Sequence, residues 1–413
     1  MNFLILSITA GEGHNSTAKA IRSALEAMGD ECTVLDTYNY LSPELAKIIS
    51  EGYLIITEKM KSTYKIGYTL AENRPIASKV QGFFDKEQPD IPMKTANLVF
   101  SAELEEYLMS DKFDAIIFTH PFAGILTDIL KSRGKISHHT VGILTDFAFH
   151  PYWENCTAND YVITPNELLL PQARRKGFRD SQILPLGIPI NPKFSQTIEK
   201  PKARQKLGLD PDKTTLLIMG GSMGYGNITE NVSLIDSSAI ERDFQMIVVC
   251  GNNAAAKSQM DEYAKTSKHS MLVTGFVDYV SLLMDASDVI ITKPGGLTTS
   301  ESLAKGLPMI IVNPIPGQEE RNTEFLLNNG CAMATSKTRS IDECIYQLLS
   351  SDARLSAMRE CIASIAKPDS AKNTASFIHE LGLTPVIGNI DADNEKPHKK
   401  MISFDDLGNI IKF

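Results

Sequence analysis

Three glycine-bearing stretches of this 413-residue chain carry side chains suited to acid–base or hydrogen-bonding chemistry. The first is Thr9-Ala10-Gly11-Glu12-Gly13-His14, set between an apolar run and an amphipathic segment. Glycines at a strand-to-helix turn let the backbone approach a ligand, and a helix N-terminus favours negative charge. Gly11 and Gly13 fit the start of a dinucleotide fingerprint, with Asp36 ending the next strand. Ser16 replaces the third glycine and Asp36 comes late, so that fingerprint is weak. His14, at the mouth of the turn, is placed at the carboxyl edge of a sheet, where it serves either as a general base or as a helix cap.

The second stretch, Gly220-Gly221-Ser222-Met223-Gly224, follows the first strand of the second half. Its N–H groups and the Ser222 hydroxyl could cradle a diphosphate, or the glycines could simply make a turn. It lacks the lysine of a P-loop, which argues against ATP hydrolysis. The third stretch is the richest. Thr292-Lys293-Pro294-Gly295-Gly296-Leu297-Thr298-Thr299-Ser300-Glu301 leaves a strand and opens a helix, and the next strand runs into Asn313-Pro314-Ile315-Pro316-Gly317-Gln318-Glu319-Glu320-Arg321-Asn322. A carboxylate one turn inside the helix, Glu301, can accept both hydroxyls of a ribose, and Gln318, Glu319 and Asn322 can hydrogen-bond sugar hydroxyls. So dense a set of polar groups makes a purely structural turn the weaker reading.

The elements that must position these groups follow from periodicity. Short apolar runs alternate with amphipathic segments, which predicts parallel α/β architecture. Strands are expected from Phe3 to Ile8, Thr33 to Leu35, Ala115 to Phe118, Thr140 to Leu144 and Tyr161 to Thr164. In the second half they run from Thr215 to Met219, Gln245 to Val249, Met271 to Val273, Val289 to Thr292 and Met309 to Val312. Ala18, Ile21, Leu25 and Met28 share a helical face after the first turn; Ile341 to Ala366 and Ala371 to Leu381 also read as helices. Proline and glycine density near Gly187 marks a boundary. The expected organisation is a first domain over 1–190, a second over 191–366, a C-terminal helix over 367–383 returning to the first domain, and a polar flexible tail over 384–413.

The formal net charge of −9 argues against nucleic-acid binding. Cys32, Cys156, Cys250, Cys331, Cys344 and Cys361 include no C-x-x-C pair, so zinc and dithiol chemistry lack support and a reducing cytosol is expected. The apolar run at Phe3 has no basic residue before it and reads as a strand, not a signal peptide. No run approaches the length of a membrane span, so membrane association is expected to be peripheral. Between Gly52 and Lys79, Tyr53, Ile55, Ile56, Tyr64, Ile66 and Tyr68 are interleaved with Lys59, Lys61, Lys65, Arg74 and Lys79. That pattern suits an anionic lipid surface, or an amphipathic helix pair covering the sheet.

Lys293-Pro294-Gly295-Gly296 through Glu301, followed by Pro316-Gly317-Gln318-Glu319, resembles the nucleotide-sugar signature of glycosyltransferase family 28. Thr145-Asp146-Phe147 with His150-Pro151 and Trp153 is similar to the acceptor side of that family's diacylglycerol enzymes, and the likeness runs from about Asn2 to Leu381. The resemblance implies a GT-B fold, two Rossmann-like domains whose parallel sheets face across a cleft. It implies inverting transfer of a hexose from a UDP-sugar to a diacylglycerol-type lipid, at the cytoplasmic face of a membrane and without an essential metal. It places Gly221 and Ser222 at the diphosphate, Phe276 at the uracil, Glu301 at the ribose, and Gln318 and Glu319 at the sugar. Gly295, Gly296, Leu297, Thr298 and Asn322 join the donor site, and Gly13, His150 and Trp153 the acceptor side. His120, at the end of another strand, either lines the acceptor cleft or is a buried, hydrogen-bonded histidine. His14 is the first choice of base and Asp146 its rival. The D-x-D at Asp391-Ala392-Asp393 lies in the tail. His138 and His139 read as solvent-facing or structural. Alternatives are a UDP-sugar epimerase of GT-B fold, a MurG-like transferase with another lipid-linked acceptor, an NAD-dependent dehydrogenase and a catalytically silent nucleotide sensor.

Overall fold

A computed structural model describes residues 1–9, 12–40, 102–110, 112–221, 227–238, 240 and 242–384. Ala10, Gly11, Ser222 and the side chain of Glu12 lie outside the described residues, as do the basic aromatic segment between Gly52 and Lys79 and the tail from 385 onward. The described residues form two compact units, one from 1–189 and 369–384, the other from 190–368.

The first unit is a six-stranded sheet of β1 (Asn2–Ser7), β2 (Glu31–Asp36), β3 (Ala115–Phe118), β4 (His139–Ile143), β5 (Tyr161–Ile163) and β6 (Ile183–Leu184), in spatial order β2-β1-β3-β4-β5-β6. All pairings are parallel. Strands covered by helices on both faces need apolar residues on both, so β3 is buried at every position and reads as a continuous apolar run. Spatial order reverses at β1, with β2 on one side and β3 on the other. The crevice at the carboxyl ends of β1 and β3 is therefore the topological switch point, where open α/β sheets bind ligands.

The helix Ser370–Gly382 closes this unit: Ala375, Phe377, Ile378 and Leu381 enter its core, and the Phe377 ring lies edge-on to Tyr161 at 5.0 Å. His379 Nδ1 bonds buried Asp30 at 2.8 Å, and Asp30 also takes the N-terminal ammonium at 3.1 Å.

The second unit has β7 (Thr214–Met219), β8 (Phe244–Val249), β9 (Met271–Thr274), β10 (Val289–Thr292), β11 (Met309–Ile311) and β12 (Ala332–Ala334), in order β12-β11-β10-β7-β8-β9, again all parallel. Its order reverses at β7, so its switch point lies at the carboxyl ends of β7 and β10. Those two strands lead into the second and third glycine stretches.

Two short strands, β6 and β12, escaped the periodicity reading because two or three residues carry no measurable period. The segment from Ile341 to Ala366 is two helices, Ile341–Leu349 and Asp352–Ile365, because Ser351 turns extended at φ −147° and starts the second. No helix among the described residues is long and apolar enough to cross a membrane.

Candidate active site

In the first unit the turn after β1 is braced from behind. The Asp36 carboxylate accepts the Thr9 N–H at 3.2 Å and also the Thr9 hydroxyl. Asn15 donates to Thr9 Oγ1 at 3.0 Å and accepts from Ser7 Oγ at 2.6 Å. Asp36 thus holds the protein's own turn, a task unlike that of the ribose-binding acid in a dinucleotide fold. This brace was not foreseen; the lateness of Asp36 was its only trace in the sequence.

His14 lies two residues into the helix Glu12–Glu26, and its Nδ1 is 2.8 Å from the Thr119 carbonyl, just past β3. A carbonyl oxygen only accepts, so Nδ1 carries the hydrogen and Nε2 keeps its lone pair. Thr145 Oγ1 stands 3.4 Å from the same Nδ1. Three strand ends (β1, β3, β4) therefore fix one ring. Burial lowers the His14 pKa to about 4, against the raising effect of the Thr119 bond, so the imidazole is neutral at pH 7. Among the described residues no group bonds its Nε2. Gly13, one residue ahead, has open space where a side chain would be. Asp146 follows Thr145 in the loop after β4 and has partners of its own.

His120 caps the helix Pro121–Ser132, its Nδ1 accepting the Phe122 N–H at 3.2 Å. Its ring lies edge-on to His14, 4.9 Å between centroids. Burial, then proximity to His14 and His150, holds its pKa well below that of a free histidine. His150 caps the short 3-10 helix Pro151–Asn155 in the same manner, accepting the Tyr152 N–H at 3.3 Å. Burial, then Lys176, lowers its pKa to about 4.

Trp153 takes a different place from the one expected. Only 4% exposed, it stacks on Phe118 at 5.9 Å, and a Cβ on Gly142 would come within 2.8 Å of its ring. Its faces are committed to the core behind β4, and Phe122 and Tyr152, which carried no expectation, stand near the histidines instead. His138 is buried, and Nε2 of His139 is 3.3 Å from the Thr384 carbonyl.

In the second unit, Gly221 leaves β7 at φ +75°, a conformation other residues rarely adopt. After β10, Gly295 is the extended N-cap of the helix Gly296–Ala304 and offers no side-chain cap, so Gly296, Leu297 and Thr298 form an uncapped, electropositive first turn. A Cβ on Gly295 would meet nothing within 4 Å. Glu301 lies one turn on, along the same face as Leu297 and Thr298. Burial alone pushes its carboxyl up to about 8, and among the described residues no donor reaches it. A carboxyl held this way has unmet hydrogen-bonding capacity.

The loop after β11 joins this site. Asn322, fully buried, donates to the Pro294 carbonyl at 2.9 Å and so fastens the helix Gln318–Asn328 to the glycine turn. Its amide has a structural bond, where a sugar contact was expected. Glu319 accepts the Ile315 N–H at 2.6 Å; burial raises its pKa while that bond, and then Lys293, opposes the rise. Glu320 reaches back to the Gly317 N–H at 3.2 Å, and Gly317 itself sits at φ +90°. Gln318 opens the same helix and has partners of its own. Phe276, past β9, is 65% exposed, unusual for a large apolar ring.

Two parallel α/β units, each with a glycine turn after a switch-point strand, are the parts of the GT-B fold. The chain matches the structure of Acinetobacter baumannii MurG with a TM-score of 0.58 at 16% identity, over 92% of this chain and 99% of that one. Residues 14–190 match the family model for monogalactosyldiacylglycerol (MGDG) synthase and residues 215–374 that for the glycosyltransferase family 28 C-terminal domain. Together the two models span most of the chain, which has the domain composition of an MGDG synthase domain followed by a family 28 C-terminal domain. It is 28% identical over 379 residues to a processive diacylglycerol beta-glucosyltransferase of Bacillus pumilus, covering 91% of this chain and 94% of that protein. It is 29% identical over 373 residues to the Bacillus licheniformis protein of the same description, covering 90% and 92%.

Proposed function

We propose that this protein is an inverting glycosyltransferase that moves a hexose from a UDP-sugar to the hydroxyl of a diacylglycerol-type lipid. The observation that carries the reading is His14: neutral, held in the Nδ1–H form by Thr119, with its Nε2 lone pair at the switch point. The acceptor O–H gives its proton to that lone pair while its oxygen bonds to C1 of the sugar. The C1–phosphate bond breaks on the opposite face, so an α-linked donor yields a β-glycolipid, and UDP leaves. Charge growing on the leaving diphosphate meets the uncapped turn Gly296-Leu297-Thr298 and the backbone at Gly221, with Ser222 next in the sequence. Glu301 accepts the ribose hydroxyls, and Gln318 with Glu319 engages the sugar. Asp146, in the loop after β4, is the alternative base. The enzyme works peripherally at an anionic membrane, on its cytoplasmic face.

The test is product formation. Purified protein is incubated with diacylglycerol vesicles and, separately, UDP-glucose, UDP-galactose and UDP-N-acetylglucosamine, with EDTA present. A β-glycolipid from one donor, lost in His14→Ala, is expected. UDP binding without lipid product from any donor would overturn the assignment.

A further inference from the structure

Lys305 is the C-cap of the helix Gly296–Ala304, four residues after Glu301. Its N–H bonds the Glu301 carbonyl at 3.1 Å, so the helical turn between the two residues is closed. Side chains four apart on a helix share a face, with Cβ atoms about 5–6 Å apart. Glutamate ahead of lysine at this spacing is the order that pairs best. Local chemistry alone would therefore join Lys305 to Glu301.

The fold sends the ammonium elsewhere. Lys305 Nζ bonds the Asp285 carboxylate at 2.8 Å and also the Gln196 carbonyl. Asp285 comes from the last turn of another helix, Val280–Ala286, and both side chains of the pair are buried. A buried ammonium needs a counter-charge, and two carboxyl groups compete for this one. Asp285 holds it. Glu301 is left with no donor among the described residues, and burial is the sole cause of its raised pKa, with nothing from Lys305.

We propose that Asp285 is a positioning residue for donor binding: it holds the Lys305 ammonium away from Glu301, four residues back on the same helix, and so keeps that carboxyl free for the ribose hydroxyls. The inference rests on the reading of Glu301 as a donor contact. The two members of the pair then differ in consequence. Loss of Asp285 releases a cation that captures Glu301, and the nucleotide must displace it; loss of Lys305 releases none. A pair that only aimed the helix would weaken binding equally from either side, and one that only supported the fold would weaken it from neither.

The experiment titrates UDP, which carries the ribose, into wild type, Asp285→Asn, Lys305→Met, the double variant Asp285→Asn/Lys305→Met, and Glu301→Ala with and without Asp285→Asn. Calorimetry gives the affinity, and the thermal midpoint is followed alongside. Asp285→Asn is expected to weaken UDP binding by about tenfold. Lys305→Met and the double variant are expected to bind as wild type does, since neither has the cation. Asp285 also favours the charged form of Lys200, so its carboxylate keeps a cation nearby in Lys305→Met. In the Glu301→Ala background Asp285→Asn is expected to add no further loss, because its effect runs through Glu301. If Asp285→Asn does not fold, Asp285→Ser, which leaves a hydroxyl and room for water at the ammonium, takes its place. Wild-type affinity in the folded Asp285 variant, equal weakening in Lys305→Met, or a further loss in the Glu301→Ala background overturns the role of Asp285 and leaves the Glu301 contact standing. Wild-type affinity in Glu301→Ala removes the contact itself, and the inference with it.

Discussion

The two units share a six-stranded parallel sheet and place their chemistry at the same topological position, yet burial acts on opposite groups. In the first unit it drives protons off histidines: His14 and His150 are lowered to about 4, and His120 falls too. In the second it drives protons onto carboxylates: Glu301 is raised to about 8 and Glu319 is raised as well. The physical cause is one, since a low-dielectric site disfavours whichever form is charged. The consequences differ. The first unit gains a lone pair ready for a hydroxyl proton; the second gains a carboxyl whose hydrogen bonds await a ligand.

Removing one group from each side breaks the comparison most directly. His14→Ala should lower kcat by about 10²- to 10⁴-fold while UDP affinity, which the proposed mechanism assigns to the other unit, stays at the wild-type value. Single-turnover product formation and calorimetry check the two halves, and a parallel loss of UDP affinity would contradict the division of labour. Glu301→Ala should do the converse, raising donor KM roughly ten- to a hundredfold with acceptor KM unchanged. Steady-state kinetics in both substrates decides it.

Asn322→Ala leaves the Pro294 carbonyl buried without its donor, at a cost of about 1–3 kcal/mol to the second unit. Denaturant unfolding should show that loss, and a donor KM changed far more than stability would mean that Asn322 touches the sugar.

The smallest effects are in pH. For His14 the folded pKa of about 4 lies below the usual 6.5, so between those values the unfolded chain binds more protons. Stability from this group is present above pH 6.5 and lost as pH falls through 4. For Glu301 the folded pKa of about 8 lies above the usual 4.5, so the folded chain holds the extra proton and its contribution is lost as pH rises through 8. Scanning calorimetry should therefore show the first unit sensitive to acid in a way that His14→Ala relieves. The second should be sensitive to alkali in a way that Glu301→Gln relieves. Identical pH profiles in wild type and both variants would contradict the shifts.

Much of the fold was legible because parallel strands buried on two faces are nearly continuous apolar runs, as at Ala115–Phe118 and Val289–Thr292. The arrangement after β10 was legible because its parts are local: strand, glycine turn, helix, carboxylate one turn on. The surroundings of the histidines in the first unit were less so. Trp153 belongs to the core through Phe118 and Gly142, and Phe122 and Tyr152 lay unnoticed beside two histidines that had been singled out. Asp36 was weighed as a ligand-binding acid and proved to brace its own turn.

By itself the sequence determined that there are two α/β units, where each glycine turn falls, and which residue types stand at the strand ends. Those features depend on backbone propensity and period, which neighbouring residues settle among themselves. Only the tertiary structure decided that His14 carries its hydrogen on Nδ1 while His120 and His150 carry theirs on Nε2. It alone decided, too, that Glu301 is a carboxyl without a counter-charge. A tautomer and a pKa depend on the groups within a few ångströms, and the Thr119 carbonyl beside His14 is 105 residues away along the chain.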